Sequence, residues 1–360
     1  MLKTYKYRLY PTKTQATKIL FTLEHCRLLY NRLLDERKLA YRTEGKSLSC
    51  YDQQNTLKER KLHVPILKEV YGQVLQDVAK RLDKAYQNFF RRVKIGGNPG
   101  FPRFKAETQY NSFTYPQKGF SFKAGKLKLS KIGEVRIKLH RPLQGKLKTC
   151  TIITKNDKFY VCLACEVSEV PLPTSTKQVG VDLGLKHLAI TSDGDFYSHP
   201  KFLKKSEQKL KKLQRALARK KKGSSRRAKA KKAVANLHEH IANQRKDYVH
   251  KVSRKLINQY GLIAFEDLQI QNMLQNHNLA KSISDAGWSK LVQYTTYKAE
   301  SAGRHVVLVN PYNTTQLCSK CGKLVPKTLV DRVHICTHCG YTQDRDVNAA
   351  ENILKLGLVI

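Results

Sequence analysis

The chain is poor in acidic residues and has no long apolar run. Only 28 of its 360 residues are Asp or Glu, against 68 that are Lys or Arg. No apolar segment approaches the roughly 18 residues that a membrane-spanning helix needs. The first ten residues alternate in polarity and lack the apolar core of a signal peptide. We therefore expect an intracellular, cytoplasmic protein that has no membrane partner.

The shortage of acids leaves a formal charge of +40. Such an excess predicts a polyanionic partner, and nucleic acid is the leading candidate. The alternative is a ribosome-like basic surface that carries no chemistry. Because 41% of the residues are hydrophobic, a chain of this length can bury a core and form two or three domains.

Three acidic residues lie, against expectation, beside apolar ones. Asp182 interrupts Val-Gly-Val-Asp-Leu-Gly-Leu, Glu266 ends Gly-Leu-Ile-Ala-Phe-Glu, and Asp346 opens a helix-like stretch. A buried carboxylate is costly unless a cation compensates it, and a divalent metal ion is the obvious cation. Each acid also has an ordinary explanation: a turn residue, a charged strand end, and a helix cap. Asp344 is a rival of Asp346 for either role, as the cap or as the third acid of the site.

The first half of the chain predicts a strand, three helices and then several short strands. Helices are expected at 15–41, 49–61 and 66–93, and alternating residues from Phe101 to Val170 predict the strands. This order suggests a β-barrel interrupted by a helical insertion. The segment 171–176, rich in Pro, Ser and Thr, is the predicted domain boundary.

The second half predicts a β-hairpin, a third strand, helices, a strand, a helix, a strand and a final helix. The strands are expected at 178–183, 187–192, near Phe196, at 261–266 and at 305–310, and the helices within 201–259, at 285–303 and at 346–356. This is the element order of an RNase H-like fold, which brings together acids from its first strand, its fourth strand and its last helix. Asp182, Glu266 and Asp346 occupy those places and could hold two Mg²⁺ ions about 4 Å apart, as suits phosphodiester hydrolysis.

Four of the nine cysteines form two CxxC knuckles, Cys318/Cys321 and Cys336/Cys339. This spacing predicts one tetrahedral Cys₄ zinc site, closed to substrate and therefore structural. A disulfide framework is unexpected. The other CxxC, Cys162 and Cys165, falls in an alternating strand, where residues three apart face opposite sides and cannot share a metal.

Two segments concentrate positive charge. Residues 201–232 carry an apolar stripe and otherwise almost only cations, so an external anion such as a phosphate backbone is needed to offset their repulsion. The segments 89–94 and 101–105 mix Phe with Arg and Lys. Their rings could stack on bases or could form the seam between two domains, and the sequence favours neither.

The whole chain resembles the TnpB (OrfB) family of insertion-sequence proteins, which are RuvC-like nucleases related to type V CRISPR effectors. The matching text is Tyr-Lys-Tyr-Arg-Leu-Tyr-Pro-Thr, Gly-Asn-Pro-Gly-Phe-Pro-Arg-Phe, Asn-Ser-Phe-Thr-Tyr, Gly-Val-Asp-Leu-Gly-Leu, Phe-Glu-Asp-Leu, Gln-Leu-Cys-Ser-Lys-Cys-Gly and Asp-Arg-Asp-Val-Asn-Ala-Ala-Glu-Asn-Ile. The resemblance implies RNA-guided cleavage of double-stranded DNA beside a short transposon-associated motif. The family's three catalytic acids fall on Asp182, Glu266 and Asp346.

The resemblance also implies a domain organisation of mixed α/β and α+β class. A wedge β-barrel is expected at 1–12 and 97–172, with a helical recognition insertion at 13–96. A RuvC-like nuclease is expected at 177–310 and 344–360, with a zinc-bearing, target-nucleic-acid-binding insert at 311–343. We expect a monomer that works with a guide RNA derived from the transposon end.

Nucleic-acid contacts are expected from amide, hydroxyl and cationic side chains. Gln73, Gln76 and Thr114 are expected to read the flanking motif, although polar helix surface explains the two glutamines equally well. The expected backbone contacts are Arg91, Arg92, Arg103, Lys105, Lys220, Lys221, Arg226 and Arg227. Two rival functions remain open: a transposase that joins strands with the same acids, and a guide-dependent DNA-binding repressor whose acids are idle.

Overall fold

The computed structural model describes residues 1–123, 125–168, 171–328 and 330–360. The chain divides into two compact units, Met1–Ser168 and Glu169–Ile360. The last two residues of the predicted strand region, 169 and 170, lie outside the described part. Within that part, every helix is either too short or too polar to cross a membrane.

Unit 1 contains one antiparallel sheet. Its strands are β1 (Leu2–Tyr10), β2 (Ser112–Tyr115), β3 (Phe120–Lys123), β4 (Lys126–Leu129), β5 (Gly133–Lys138), β6 (Lys146–Lys155) and β7 (Lys158–Glu166). They pair in the order β2-β6-β7-β1-β5-β4-β3. Alternation along β1 buries Tyr5, Tyr7 and Leu9. On β7 it buries Cys165 and leaves Cys162 half-buried, as the sequence predicts.

Four helices cover the core of unit 1. They are α1 (Lys13–Glu44), α2 (Cys50–Asn55), α3 (Leu57–His63) and α4 (Gly72–Lys94). The predicted first helix is confirmed, and it begins at a capping box made by Thr12 and Gln15. The single helix predicted at 49–61 is wrong, because the chain breaks it at Thr56. The helix predicted from residue 66 begins only at Gly72, after a short 3₁₀ helix that starts with a proline.

Unit 2 contains a mixed five-stranded sheet. Its strands are β8 (Gln178–Asp182), β9 (His187–Thr191), β10 (Phe196–Ser198), β11 (Leu262–Glu266) and β12 (His305–Val309). They pair in the order β10-β9-β8-β11-β12, and β8, β11 and β12 run parallel. The predicted succession of strands and helices is confirmed.

Six helices and a small ribbon complete unit 2. They are α5 (Phe202–Ala218), α6 (Ser225–Gln259), α7 (Ile270–Met273), α8 (Ala280–Ala286), α9 (Trp288–Ala302) and α10 (Arg345–Val359), with the ribbon strands β13 (Val333–Ile335) and β14 (Thr342–Asp344). The helix predicted at 285–303 is in fact two, α8 and α9. Gly287 between them adopts a left-handed conformation with φ of 73°, which ends α8.

Candidate active site

Asp182 and Glu266 end two neighbouring parallel strands. Asp182 is the last residue of β8, and Glu266 is the last residue of β11. The preceding residues, Val181 and Phe265, are paired and fully buried. Because parallel strands end at the same edge of their sheet, both acids lie at one edge. The strand predicted at 178–183 is confirmed, and it ends one residue earlier, at Asp182 itself.

Helix α10 brings Asp346 toward the same edge. Gly180 of β8 lies directly against α10: a Cβ added there would overlap the carbonyl oxygen of Ala350 and the nitrogen of Leu354. Asp344 is the N-cap, and its carboxylate accepts hydrogen bonds from the backbone N–H groups of Asp346 and Val347. Asp346 is therefore not needed as a cap, and its carboxylate can take another role.

The electrostatics of Asp182 show that the three acids influence one another. Burial, followed by the negative charges of Glu266 and Asp346, raises the pKa of Asp182 to about 8. The nearby cation, Arg345, opposes this shift but does not cancel it. Burial also raises the pKa of Glu266, which is only 8% exposed. A site that disfavours its own negative charge in this way is one that a bound cation would stabilise.

Two side chains that the sequence interpretation missed contact these acids. Thr314 donates its hydroxyl hydrogen to Glu266 Oε1 at 2.5 Å, which lowers the pKa of Glu266 against the effect of burial. Arg345 forms an ion pair with Asp346 at 2.9 Å. Arg345 could have been suspected because it adjoins Asp346, whereas Thr314 lies far from any acid in sequence and carried no signal.

The four knuckle cysteines form a compact cluster. Their Sγ atoms all lie within 4.8 Å of one another, and across the described residues no other group of three or more Cys, His, Asp or Glu side chains meets that spacing. Asp182, Glu266 and Asp346 do not form such a group in this structure. Burial alone would raise the pKa of the Cys336 thiol, but N–H groups of His338 and Cys339 lower it to about 6. The resulting thiolate favours metal binding.

Polar side chains of α10 attach this helix to the first knuckle. Buried Asn348 accepts a hydrogen bond from Ser319 N–H and donates one to the carbonyl of Leu317. Asn352 donates to the carbonyls of Thr314 and Leu317. These bonds join the loop of the cysteine cluster to the helix that carries Asp346. Their signal in the sequence was a pair of Asn four residues apart, and therefore on one face, of the final helix.

The predicted nucleic-acid residues fall into two groups in the structure. Six side chains are exposed: Gln76, Arg91, Arg103, Lys220, Lys221 and Arg226. The remaining five make internal contacts. Gln73 accepts a hydrogen bond from the Lys118 N–H, and Thr114 forms hydrogen bonds with Arg81 and Thr151. Two arginines donate to backbone carbonyls: Arg92 to those of Pro99 and Gly100, and Arg227 to those of Leu217 and Lys220. The Lys105 ammonium lies over the Tyr30 ring.

Three family models match this chain. Residues 161–277 match a model described as "Probable transposase", and residues 288–353 match a "Cas12f1-like, TNB domain". Residues 1–46 match a "Helix-turn-helix domain". In the structure this last segment forms a strand and a single 32-residue helix, without the turn that the description implies.

Full-length relatives share about a third of their residues with this chain. A "Putative RNA-guided DNA endonuclease" of Streptomyces pristinaespiralis is 34% identical over 99% of this chain and 89% of the relative. A protein of Escherichia coli with the same description, InsQ, is 32% identical over 99% of this chain and 92% of its own length. Among solved structures, the mini-RNA-guided endonuclease CRISPR-Cas_phi3 is 9% identical over 99% of this chain and 92% of that chain, with a TM-score of 0.49.

Proposed function

Because this chain belongs to the TnpB (OrfB) family of insertion-sequence proteins, we propose that it is an RNA-guided DNA endonuclease. Its target would be double-stranded DNA beside a short transposon-associated motif. The observation that carries the proposal is the geometry of the three acids: Asp182 and Glu266 end neighbouring parallel strands, and Asp346 lies at the start of the helix that packs against β8. Burial and the charges of the other two acids raise the pKa of Asp182 at this place. Full-length identity to two proteins described as RNA-guided DNA endonucleases supports the same function.

The donor set fits Mg²⁺, which prefers carboxylate oxygen ligands. Asp182, Glu266 and Asp346 would hold two ions, and binding them would offset the burial and mutual repulsion that raise the pKa of Asp182. Mg²⁺ bound there would supply activation of water and neutralisation of charge on the scissile phosphate. Thr314 would keep the Glu266 carboxylate oriented, and the Asp344 cap would fix the start of α10 so that Asp346 faces the ions.

The cysteine cluster would bind one structural Zn²⁺. Four thiol ligands fill a tetrahedral shell and leave no position open for substrate. The hydrogen bonds from Asn348 and Asn352 would transmit the rigidity of that site to α10. The insert at 311–343 would also contact the target nucleic acid.

The remaining domains would follow the family pattern. Residues 1–12 and 97–172 would form the wedge barrel, 13–96 the recognition insertion, and 177–310 with 344–360 the RuvC-like nuclease. Exposed cations such as Lys220, Lys221 and Arg226 would hold phosphate backbone, and Gln76 would face the flanking motif. The particle would contain one copy of the chain with its guide RNA and would act in the cytosol.

The experiment is guided plasmid cleavage. The chain would be purified with RNA co-expressed from the transposon end and incubated with a plasmid library in Mg²⁺. We expect cuts beside one short motif, and no cuts with Asp182→Ala or in EDTA. Intact plasmid throughout, or full cutting by the Asp182→Ala variant, contradicts the proposal. Tight guide-dependent DNA binding without Mg²⁺-dependent cutting would identify a repressor instead.

Strand transfer is the second candidate, and the "Probable transposase" description of the model matching 161–277 favours it. Hydrolysis and strand transfer need the same acids and differ only in the nucleophile, which is water in one and a DNA 3′ hydroxyl in the other. The same reaction mixture distinguishes them. Covalently joined DNA products indicate strand transfer, whereas linear plasmid with unjoined ends indicates an endonuclease.

A further inference from the structure

A cavity of about 970 Å³ lies inside unit 1. Its wall is formed by the C-terminal part of α1, by α4 and by the loop after α4. We call it the aromatic cavity, because cationic and aromatic side chains line much of it. They include Arg37, Lys38, Tyr86, Phe89, Phe90 and Phe101. Proteins bind small organic groups in cavities of this size.

The rings of the aromatic cavity are held at steep angles and stay partly exposed. Phe101 meets Phe89 and Tyr86 edge to face, with centroid separations of 5.1 and 5.5 Å. Phe90 is 60% exposed and Phe101 is 45% exposed. An apolar core would have buried these side chains, so open aromatic surface here is available to a flat ligand.

Arg37 supplies a buried donor to the same cavity. Only 7% of the residue is exposed. Its Nε donates to Gln53 Oε1 at 2.8 Å and its Nη1 to Asp83 Oδ1 at 3.2 Å. Its Nη2 is buried and has no hydrogen-bond partner among the residues that the structure describes. A buried N–H without an acceptor is costly, so a ligand that brings an acceptor would be stabilised.

Cations surround the rings at the rim. Lys38 Nζ lies 4.4 Å from the centroid of Phe104 and 5.6 Å from that of Phe101, and Arg42 also lines the cavity. The ligand that satisfies all three features carries a flat ring, a ring-edge acceptor and a negative charge. An apolar protein segment would cover the rings but would leave the Arg37 donor unsatisfied.

We propose that the aromatic cavity binds one unpaired nucleotide. Its base stacks on Phe90 and Phe101, and its phosphate lies near Lys38 and Arg42. A base oxygen or ring nitrogen accepts a hydrogen bond from Arg37 Nη2 once this buried group turns toward the ligand. This inference rests on the proposed function, because the nucleotide belongs either to the guide RNA or to single-stranded target DNA.

The test is oligonucleotide binding by the full chain. Probes are 12-residue RNA and DNA strands with one central 2-aminopurine, read by fluorescence quenching in salt high enough to weaken phosphate contacts. We expect Phe90→Leu and Phe101→Leu each to weaken binding at least about fivefold, from the known strength of base stacking. An unlabelled strand with an abasic central position should compete against the 2-aminopurine probe at least about fivefold more weakly than an unlabelled strand with a normal central base. Quenching only by RNA or only by DNA identifies the source of the nucleotide.

The matched control is Tyr51→Leu, which removes a 74% exposed ring of unit 1 outside the cavity lining and should change nothing. Arg37→Lys keeps the charge but removes the free donor, and should reduce quenching. Equal binding by the native chain, both Phe variants and the abasic strands overturns the inference. If the variants bind equally but the native chain still cuts plasmid under guidance, the inference falls and the proposed function stands. If the native chain does not cut plasmid but the cavity variants lose base binding, the proposed function falls and the inference stands.

Discussion

The pKa values of the buried acids depend on the position of each side chain, because burial raises the pKa and individual neighbours either raise or lower it further. Glu266 is buried, which raises its pKa, while the Thr314 hydroxyl lowers it. For Asp182 the other two acids add to the effect of burial, and the opposing effects of Arg345 and of the Leu183 N–H are smaller. Thr314 therefore helps keep Glu266 charged and able to bind a cation.

Replacing Thr314 tests this role. Thr314→Val keeps the side-chain shape but removes the hydrogen bond, so the Glu266 carboxylate becomes harder to ionise and to orient. We expect the Mg²⁺ concentration for half-maximal plasmid cutting to rise about tenfold, the equivalent of one hydrogen bond to a charged group. Thr314→Ser should behave like the native chain. An unchanged Mg²⁺ dependence in Thr314→Val would show that the hydroxyl is irrelevant to the site.

Lys298 provides a pH-dependent test of packing in unit 2. This lysine is 6% exposed, and its Nζ donates to the carbonyl of His250 and to Ser253 Oγ. Burial, aided by the charge of Arg254, lowers its pKa from 10.5 to about 8. Between pH 8 and pH 10.5 the unfolded state therefore holds more protons than the folded state, and stability contributed by this residue rises with pH.

The matching prediction compares the native chain with Lys298→Met in urea unfolding. From pH 7.5 to pH 10.5 the native chain should gain up to about 3 kcal/mol of unfolding free energy relative to the variant. Other groups titrate in this range in both proteins and cancel in the comparison. Parallel pH profiles would mean that Lys298 is charged in the fold throughout.

At the scale of elements, the hydrophobic pattern predicted most strands and helices because their burial is periodic. The breaks were harder to predict. Thr56 and Gly287 interrupt segments whose apolar pattern continues across them, so only the folded backbone shows the division. The internal contacts of Arg92 and Arg227 could not be predicted either. The sequence does not distinguish an arginine that donates to a backbone carbonyl from one that binds phosphate.

The three acids were identifiable for a different reason. Asp182 and Glu266 each end a strand, and Asp346 lies at the start of a helix. The order of strands and helices along the chain then predicts that these ends lie at the same edge of the sheet. The close approach of α10 to β8 depends on Gly180, where a glycine in a β-branched strand signalled that something lies near the backbone. Of the partners of the acids, Thr314 was not predictable, because it comes from a loop that periodicity does not describe, whereas Arg345 could have been suspected from its place beside Asp346.

Gly180→Ala tests the packing of α10 on β8. The added Cβ overlaps backbone atoms of Ala350 and Leu354, so α10 must move away from the strand. We expect a loss of roughly 1–3 kcal/mol in unfolding free energy and a larger loss in cutting, because Asp346 moves with the helix. Gly97→Ala is the control, since its Cβ would make only ordinary contacts with Arg92 and Ile95. Native cutting by Gly180→Ala would show that the position of α10 is not critical.

At the scale of the whole molecule, the charge of +40 should make nucleic-acid binding strongly salt-dependent, because each phosphate contact releases counterions. The cations do not contribute equally. Lys220, Lys221 and Arg226 are exposed, whereas Arg227 holds the end of α5. An arginine that donates hydrogen bonds to the protein's own backbone is less available to bind phosphate.

The triple variant Lys220→Gln, Lys221→Gln, Arg226→Gln should reduce the slope of log K against log salt for guide RNA by about 3. Arg227→Gln should leave that slope nearly unchanged and lower the melting temperature instead. Fluorescence anisotropy over a salt series, with thermal unfolding of each variant, measures both. Identical slopes in the native chain and the triple variant would place the RNA on another surface.

The central claim is that three distant carboxylates meet to hold the ions that cut DNA. Its most direct test is anomalous X-ray scattering from crystals of the ribonucleoprotein bound to target DNA, with Mn²⁺ in place of Mg²⁺. We expect two manganese peaks within coordination distance of Asp182, Glu266 and Asp346, and we expect both peaks to be lost in Asp182→Ala. A complex that still cuts DNA but shows no manganese beside these acids would contradict it.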